Sequence, residues 1–328
     1  MRHVKFLGLI GLLFMLAACG GEAASNEPPM GRPLLVPSEE PLQVVATTTL
    51  VADLIAHLGG TRVNVEYLMG PGVDPHYYVA TAGDLNRLEN ADLIVYHGLN
   101  LEERMSDIFS RMAGQGRALI STEPALDPSQ ILEELDYWDD EEDAEDEGVD
   151  YDPHIWFDVA LWIQAASHFN EELARLFPGD AEYFQSNYEA YVQELSELHA
   201  YLSNRAEEIS PEARVLITAH DAFQYFGEAY GFQVMGVQGI STTAEAGTAD
   251  IAGLADFIVE RGIGAIFVEA SVSPRNIEAL QEAVSARGHE VAIGGELFSD
   301  ALGDAASGAD TYISMMKANM ETIVNALR

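Results

Sequence analysis

A single cysteine, Cys19, stands in 328 residues, so the chain has no intramolecular disulfide. Basic residues are scarce: 16 Lys and Arg face 54 Asp and Glu, for a formal charge of −38. Such a surface repels nucleic acid and anionic lipid and draws cations without selectivity. No nucleic-acid partner is therefore expected; solubility or a salty habitat accounts for the charge equally well. Beyond the first residues, no stretch is long and apolar enough to cross a bilayer. His-Glu-x-x-His and the nucleophile elbow are both missing, which removes two common hydrolase signatures.

What is present begins at the amino end. Arg2 and Lys5 precede an apolar stretch from Phe6 to Leu16, followed by Ala17-Ala18-Cys19-Gly20. This is the pattern of a secretory signal peptide over 1–18. Leu16-Ala17-Ala18-Cys19 also resembles a bacterial lipobox, which implies cleavage before Cys19 and acyl chains on it. Several acyl chains would anchor the protein stably, at roughly 0.8 kcal/mol per buried methylene. Removing Arg2 and Lys5 takes the charge to −38 − 2 = −40. Residues 19–41 carry prolines at 28, 29, 33, 37 and 41 and no periodicity, as expected of a flexible tether.

The remaining roughly 285 residues can bury a large core. Strand signals fall at 43–48, 63–69, 92–96 and 118–122, then at 214–219, 233–238, 265–270 and 290–294. Helical patterns such as 101–112, 248–261 and 274–287 separate most of them. Alternation of this kind predicts α/β architecture: two lobes, each with a four-stranded parallel sheet flanked by helices. The expected lobes are 42–179 and 210–328, joined by a long rigid helix over 180–209. On that helix Phe184, Tyr188, Tyr191, Leu195, Leu198 and Leu202 recur at steps of three and four. The likeness between the two halves is too faint to be read as a repeat. Residues 133–152 are an almost unbroken acidic run, read as a solvated loop or a weak cation collector.

Asp74-Pro75-His76 and Asp152-Pro153-His154 share one pattern, and aromatics follow each histidine: Tyr77 and Tyr78, Trp156 and Phe157. His220 ends the run Val215–Ala219, and Asp300 follows Gly294-Gly295-Glu296-Leu297-Phe298-Ser299. Spread this widely, these groups cannot form a local zinc finger. Brought together by a fold, they make a four-ligand transition-metal site. His76, His220 and Asp300 fall at or beyond the carboxyl ends of expected strands, where open α/β sheets bind ligands. His97 and Glu269, also at strand ends, are expected nearby rather than as ligands. Asp74 and Asp152 are candidates to orient the neighbouring histidines, since ligand imidazoles commonly donate their second N–H to a carboxylate. His57, His168, His199 and His289 lie in helical or exposed contexts and read as ordinary.

Together these segments resemble the lipoprotein solute-binding proteins of zinc and manganese ABC importers, the metal-binding adhesin-like receptors. The resemblance rests on Asp74-Pro75-His76 with Thr81 and Asp84, Gly98–Glu102, Asp152–Asp158, Thr218–Phe223 with Tyr225-Phe226, Val237–Thr242, Glu269 with Ser271–Pro274, and Gly294–Gly303. It runs from about 42 to 328. It implies a metal ion held between the lobes by His76 and His154 from the first and His220 and Asp300 from the second. It also implies an ABC permease and its ATPase as partners, at the outer face of a membrane. Two departures stand out: many manganese receptors have a glutamate at the place of His220, and many zinc receptors a histidine-rich loop at the place of acidic residues 139–152.

Three imidazoles and a carboxylate form a borderline-soft set that suits Zn²⁺ better than Mn²⁺, though a bidentate Asp300 would admit Mn²⁺ or Fe²⁺. The expectation is a monomeric, non-enzymatic receptor that captures Zn²⁺, or next Mn²⁺, for import. A secreted zinc hydrolase is the alternative, with Glu269 or Glu296 as its base; catalytic zinc, however, normally keeps an open fourth position. Nothing in these residues shows a host-binding surface for an adhesin.

Overall fold

The computed structural model describes residues 40–133 and 151–328. The signal peptide, Cys19, the tether and all but the ends of the acidic run lie outside the described residues.

The first lobe carries β1 (Leu42–Ala46), β2 (Val63–Tyr67), β3 (Leu93–Tyr96) and β4 (Ala118–Ser121), all parallel, in the order β2-β1-β3-β4. Residues of β1 alternate between its two faces: Val44 and Ala46 join one core, and Val45 joins another. Helix α1 (Thr49–Gly59) covers the inner face, capped by the Thr48 hydroxyl, which accepts the Val51 N–H. Its residues Leu50, Val51, Leu54, Ile55 and Leu58 have no exposed surface. Burying each stabilises the lobe by about 1.5–3 kcal/mol. Helices α2 (Ala82–Asn90) and α3 (Ser106–Gly114) supply Leu88, Phe109 and Met112 to the outer core. A helix expected from 101 begins instead at Ser106. Gly98, Leu99 and Asn100 have φ of 83°, 51° and 62°, a left-handed run that no helix tolerates.

Helices α4 (Val159–Leu176) and α5 (Ala181–Ala206) follow as an antiparallel pair. At 26 residues α5 is about 39 Å long. Pro178–Asp180 forms a 3₁₀ turn before it, and Ser210-Pro211 lies just beyond its end. Phe184, Tyr191, Leu195, Leu198 and Leu202 make the stripe that the spacing predicts, all buried.

The second lobe contains β5 (Val215–His220), α6 (Gln224–Tyr230), β6 (Gln233–Gln238), α7 (Thr248–Arg261), β7 (Ala265–Glu269), α8 (Arg275–Ser285), β8 (Ala292–Leu297) and α9 (Tyr312–Leu327). Parallel ladders join β5 to β6 and β7 to β8, and β5 runs alongside β7. These are two two-stranded sheets with no ladder between β5 and β7, where a single four-stranded sheet was expected; side by side, the strands follow the order β6-β5-β7-β8, as in the first lobe. The similarity of the two halves is thus topological and leaves only a trace in sequence. Strand β8 runs to Leu297, so Asp300 lies three residues past its strand and not six, as the expected strand end at 294 implied.

One core passes through both lobes. Leu50, Trp156, Phe169, Leu195, Phe223, Phe226, Met316 and Ile323 belong to a single buried cluster, with α5 packed on α1, α4 and α9. Close-packed interiors transmit displacement rather than absorb it. Large hinge opening would tear this core, so relative lobe movement is confined to small shifts.

Candidate metal centre

His76 lies in the turn between β2 and α2, His154 at the entry to the 3₁₀ turn Ile155–Phe157 before α4, His220 at the end of β5 and Asp300 beyond β8. The structure brings all four together, with one ligand atom of each within 4.8 Å of the others. His154, His220 and Asp300 have no exposure and His76 has 5%. His154 Nε2 and His220 Nε2 are 3.3 Å apart, and each lies 3.4 Å from Asp300 Oδ1. Zinc bonds of about 2.0–2.1 Å in a tetrahedron require ligand separations of roughly 3.3–3.4 Å. The three separations match the edges of such a tetrahedron, and a ring nitrogen of His76 lies within 4.8 Å of the other three atoms. His76 Nε2 and Asp300 Oδ1 are buried without a hydrogen-bond partner. Such groups are costly unless something pairs with them, and a cation between them supplies it.

Behind the His154 and His220 rings stand carboxylates that fix them. His154 Nδ1 donates to Asp152 Oδ1 at 2.6 Å, and the same oxygen accepts the His154 backbone N–H at 2.9 Å. His220 Nδ1 donates to Glu269 Oε2 at 2.6 Å, while Oε1 accepts the His220 backbone N–H at 2.9 Å. These bonds direct both Nε2 atoms, unprotonated when neutral, into the cluster. Gly236 opposite has no room for a Cβ, which would stand 2.5 Å from the Asp221 nitrogen. Asp74 behaves otherwise: Oδ1 accepts the His76 backbone N–H at 2.9 Å and Oδ2 the Thr242 hydroxyl at 2.6 Å. It fixes the His76 backbone, where the sequence suggested the ring, and ties that loop to the second lobe. Asp300 Oδ2 accepts from the Ser271 hydroxyl at 3.0 Å, leaving Oδ1 to face the imidazoles.

Burial pushes His76 down to about 3, with the charges of His154 and His220 adding to this. Burial also lowers His154, but the Asp152 carboxylate, with Asp300, more than offsets it and the ring is pushed up to about 9. Glu269 and Asp300 likewise outweigh burial at His220 and raise it well above the usual range. Burial would raise Asp300, yet His220 and His154 hold it well below the usual carboxylate range. Without metal the cluster therefore holds protons on two imidazoles, which an incoming cation must displace.

His97 stays outside the cluster. Its Nε2 pairs with the Thr48 hydroxyl at 2.9 Å, and its ring packs on Trp156 with centroids 4.8 Å apart. The Glu102 carboxylate accepts the His97 and Gly98 N–H groups at 2.9 and 3.2 Å, stabilising the left-handed run that begins at Gly98. Sequence reasoning passed over Ser271, Thr242, Tyr225 and Trp156 as positioning groups, although all lie within the segments that carry the resemblance. Their roles depend on where a hydroxyl or indole points, for which no spacing is diagnostic. A cavity of about 550 Å³ lies between β4, α3 and α4 and includes none of the four cluster residues; a bare ion needs no such void.

Two α/β lobes around a long helix, with a closed set of buried nitrogen and oxygen donors at the seam, define a metal-type solute-binding protein. Residues 44–326 match the family described as zinc-uptake complex component A, periplasmic, and the chain belongs to it. It is 47% identical over 284 residues to the zinc-binding protein TroA of Treponema pallidum, covering 87% of this chain and 88% of that one. It is 37% identical to the manganese-binding lipoprotein MntA of Bacillus subtilis, over the whole of both chains. The solved structure of the periplasmic zinc-binding protein TroA superposes with a TM-score of 0.81 at 46% identity, covering 88% of this chain and 99% of that one. The α/β fold, two-lobed with its long connecting helix, is that of this family. Membership makes the chain an extracytoplasmic metal-binding component of an ABC-type import system, a transport protein and not an enzyme. It also implies a cognate permease and ATPase.

Proposed function

We propose that the chain captures Zn²⁺ through His76, His154, His220 and Asp300 and hands it, as a lipid-anchored monomer held by Cys19, to a membrane permease. The observation that carries this reading is the triangle of donors at 3.3–3.4 Å with the buried Asp300 Oδ1 at one corner. Four protein ligands close the shell, which suits carriage and leaves no open position for a catalytic water. Ser271 occupies Asp300 Oδ2, favouring a monodentate carboxylate and hence zinc over manganese. Manganese remains the second cargo, because loss of that single hydroxyl contact would free both oxygens. The name of the Bacillus subtilis relative points the same way.

The test is a metal titration of the stripped protein, followed by melting temperature, with His220→Ala beside it. An ion binding only the folded state at a hundredfold over Kd adds about 2.7 kcal/mol. A one-equivalent shift with Zn²⁺, lost in His220→Ala, supports the site. No shift with either Zn²⁺ or Mn²⁺ refutes it.

A further inference from the structure

We infer that Trp156 is the positioning residue that sets Asp300 against the imidazoles, by clasping the backbone of the second lobe's ligand loop to the first lobe. The inference rests on the metal site proposed above.

Trp156 is fully buried two residues past His154. Its indole Nε1 donates to the carbonyl of Ser299, immediately before Asp300, at 3.0 Å. The same ring stands edge-on to His154, with centroids 5.1 Å apart, and packs on His97 from the other direction. Its own carbonyl accepts the Tyr312 hydroxyl at 2.7 Å, so α9 pins the turn that carries the indole. On the far side of Asp300, the Leu302 N–H donates to Thr49 Oγ1 on α1 at 2.8 Å. The backbone on both sides of Asp300 is therefore bonded to the first lobe, although strand β8 brings it from the second.

Position follows from these bonds. An indole N–H is a single donor in a fixed plane. Here that plane is set by contact with a ligand imidazole, and the donor reaches the peptide next to the ligand carboxylate. One rigid ring thus spaces His154 from Asp300, two ligands that belong to different lobes. Without the donor, the Ser299 carbonyl is left unpaired in a buried place and the loop must shift to satisfy it. Asp300 Oδ1 then leaves the 3.4 Å spacing that a tetrahedral ion demands.

Trp162 supplies the control. It is equally buried and stacks on Tyr312 with centroids 5.2 Å apart, but it makes no bond to the Asp300 loop. The experiment uses the full chain loaded with Zn²⁺ and follows ion release into excess chelator, with melting temperature measured in parallel. Trp156→Phe is expected to release zinc roughly tenfold faster, the lower end of what supporting partners of metal ligands contribute. Trp162→Phe is expected to lower the melting temperature while keeping the parental release rate. Should Trp156→Phe fail to fold, the sulfur isostere of tryptophan at 156, with the same shape and no N–H, is expected to show the same acceleration. Parental release from Trp156→Phe or from the isostere overturns the inference, as does equal acceleration in Trp162→Phe. Failure of the unaltered chain to hold zinc instead overturns the site itself.

Discussion

Glu269 and Asp152 both stand behind a buried imidazole, yet replacing them with their amides is expected to have unequal effects. Glu269 uses one oxygen for the His220 backbone N–H at 2.9 Å and the other for Nδ1–H at 2.6 Å. Glutamine offers one acceptor oxygen and one NH₂, so Glu269→Gln leaves one of these donors facing another donor. Asp152 uses a single oxygen for both its bonds to His154, at 2.9 and 2.6 Å. Asparagine in the same orientation keeps that oxygen. Both changes remove one negative charge and make the imidazole easier to deprotonate, so these effects cancel to first order in a comparison. Asp152→Asn does put an amide NH₂ at the buried Oδ2 position, which has no partner; Glu269→Gln sets its NH₂ against another donor and so breaks an existing bond as well, a difference of about 1 kcal/mol. Asp152→Asn gains a further offset: Asp221, pushed up to about 7 by burial and then by the charge of Asp152, loses that repulsion. Zinc affinity by chelator competition should therefore fall roughly fivefold further in Glu269→Gln than in Asp152→Asn. The metal-free melting temperature should follow the same order. Equal losses, or a larger loss in Asp152→Asn, would refute the assignment of acceptors behind the two ligands.

Zinc binding near pH 7 should release protons from His154 and His220, both raised in the metal-free state, so affinity falls as pH is lowered; calorimetry in buffers of different ionisation enthalpy reads the number. Ser271→Ala frees Asp300 Oδ2 for two-oxygen coordination and should shift the Zn²⁺ to Mn²⁺ affinity ratio toward manganese, measured by competition; an unchanged ratio rules out the hydroxyl as a selector. Burial holds His97 neutral down to about 3, whereas its unfolded pKa is about 6.5, so acid favours the unfolded chain. Between pH 7 and 5 this one group costs about 2 kcal/mol, and urea titrations of metal-free protein should show that much less acid sensitivity in His97→Gln than in the parent.

Strands β3, β5 and β7 stand where apolar runs were read, because parallel strands buried on both faces are nearly continuous apolar blocks, whereas β2 and β8 are more exposed and more polar. The stripe on α5 was legible for a similar reason, its period being fixed by helix geometry. The four residues of the cluster were legible through unusual neighbours, two Asp-Pro-His triplets and polar residues at strand ends. Other features were not. The left-handed run 98–100 includes Leu99, whose type argues against that conformation, and Glu102 and Glu123 support it by accepting the Gly98 and Leu99 N–H groups. The end of β8 was placed too early, since Gly294 and Gly295 interrupt the β signal while the backbone continues in the ladder. The matching side-by-side order of strands in the two lobes has no sequence period, and β5 and β7 lie together without a ladder, which no residue pattern announces. Asp74 shows the limit at the site: its neighbourhood was clear, but the choice between ring and backbone as its partner depends on side-chain direction.

The chain leaves for the acidic run and returns from it through a knot of hydrogen bonds. The Asp152 N–H donates to the Leu132 carbonyl at 2.8 Å, the Leu132 N–H to the Tyr225 hydroxyl at 3.0 Å, and that hydroxyl to the Asp152 carbonyl at 3.0 Å. Glu133 and Tyr151 pair as an isolated antiparallel bridge just beyond. The ends of the excursion are thus joined before the chain reaches the carboxylate that orients His154. Loop-closure entropy grows only as the logarithm of length, about 0.6 kcal/mol for each doubling. The root of the excursion is thus tied by bonds among Leu132, Glu133, Tyr151, Asp152 and Tyr225. A histidine-rich or a shorter segment spliced between Glu133 and Tyr151 is therefore expected to leave the zinc affinity of the cluster below within about twofold, read by chelator competition.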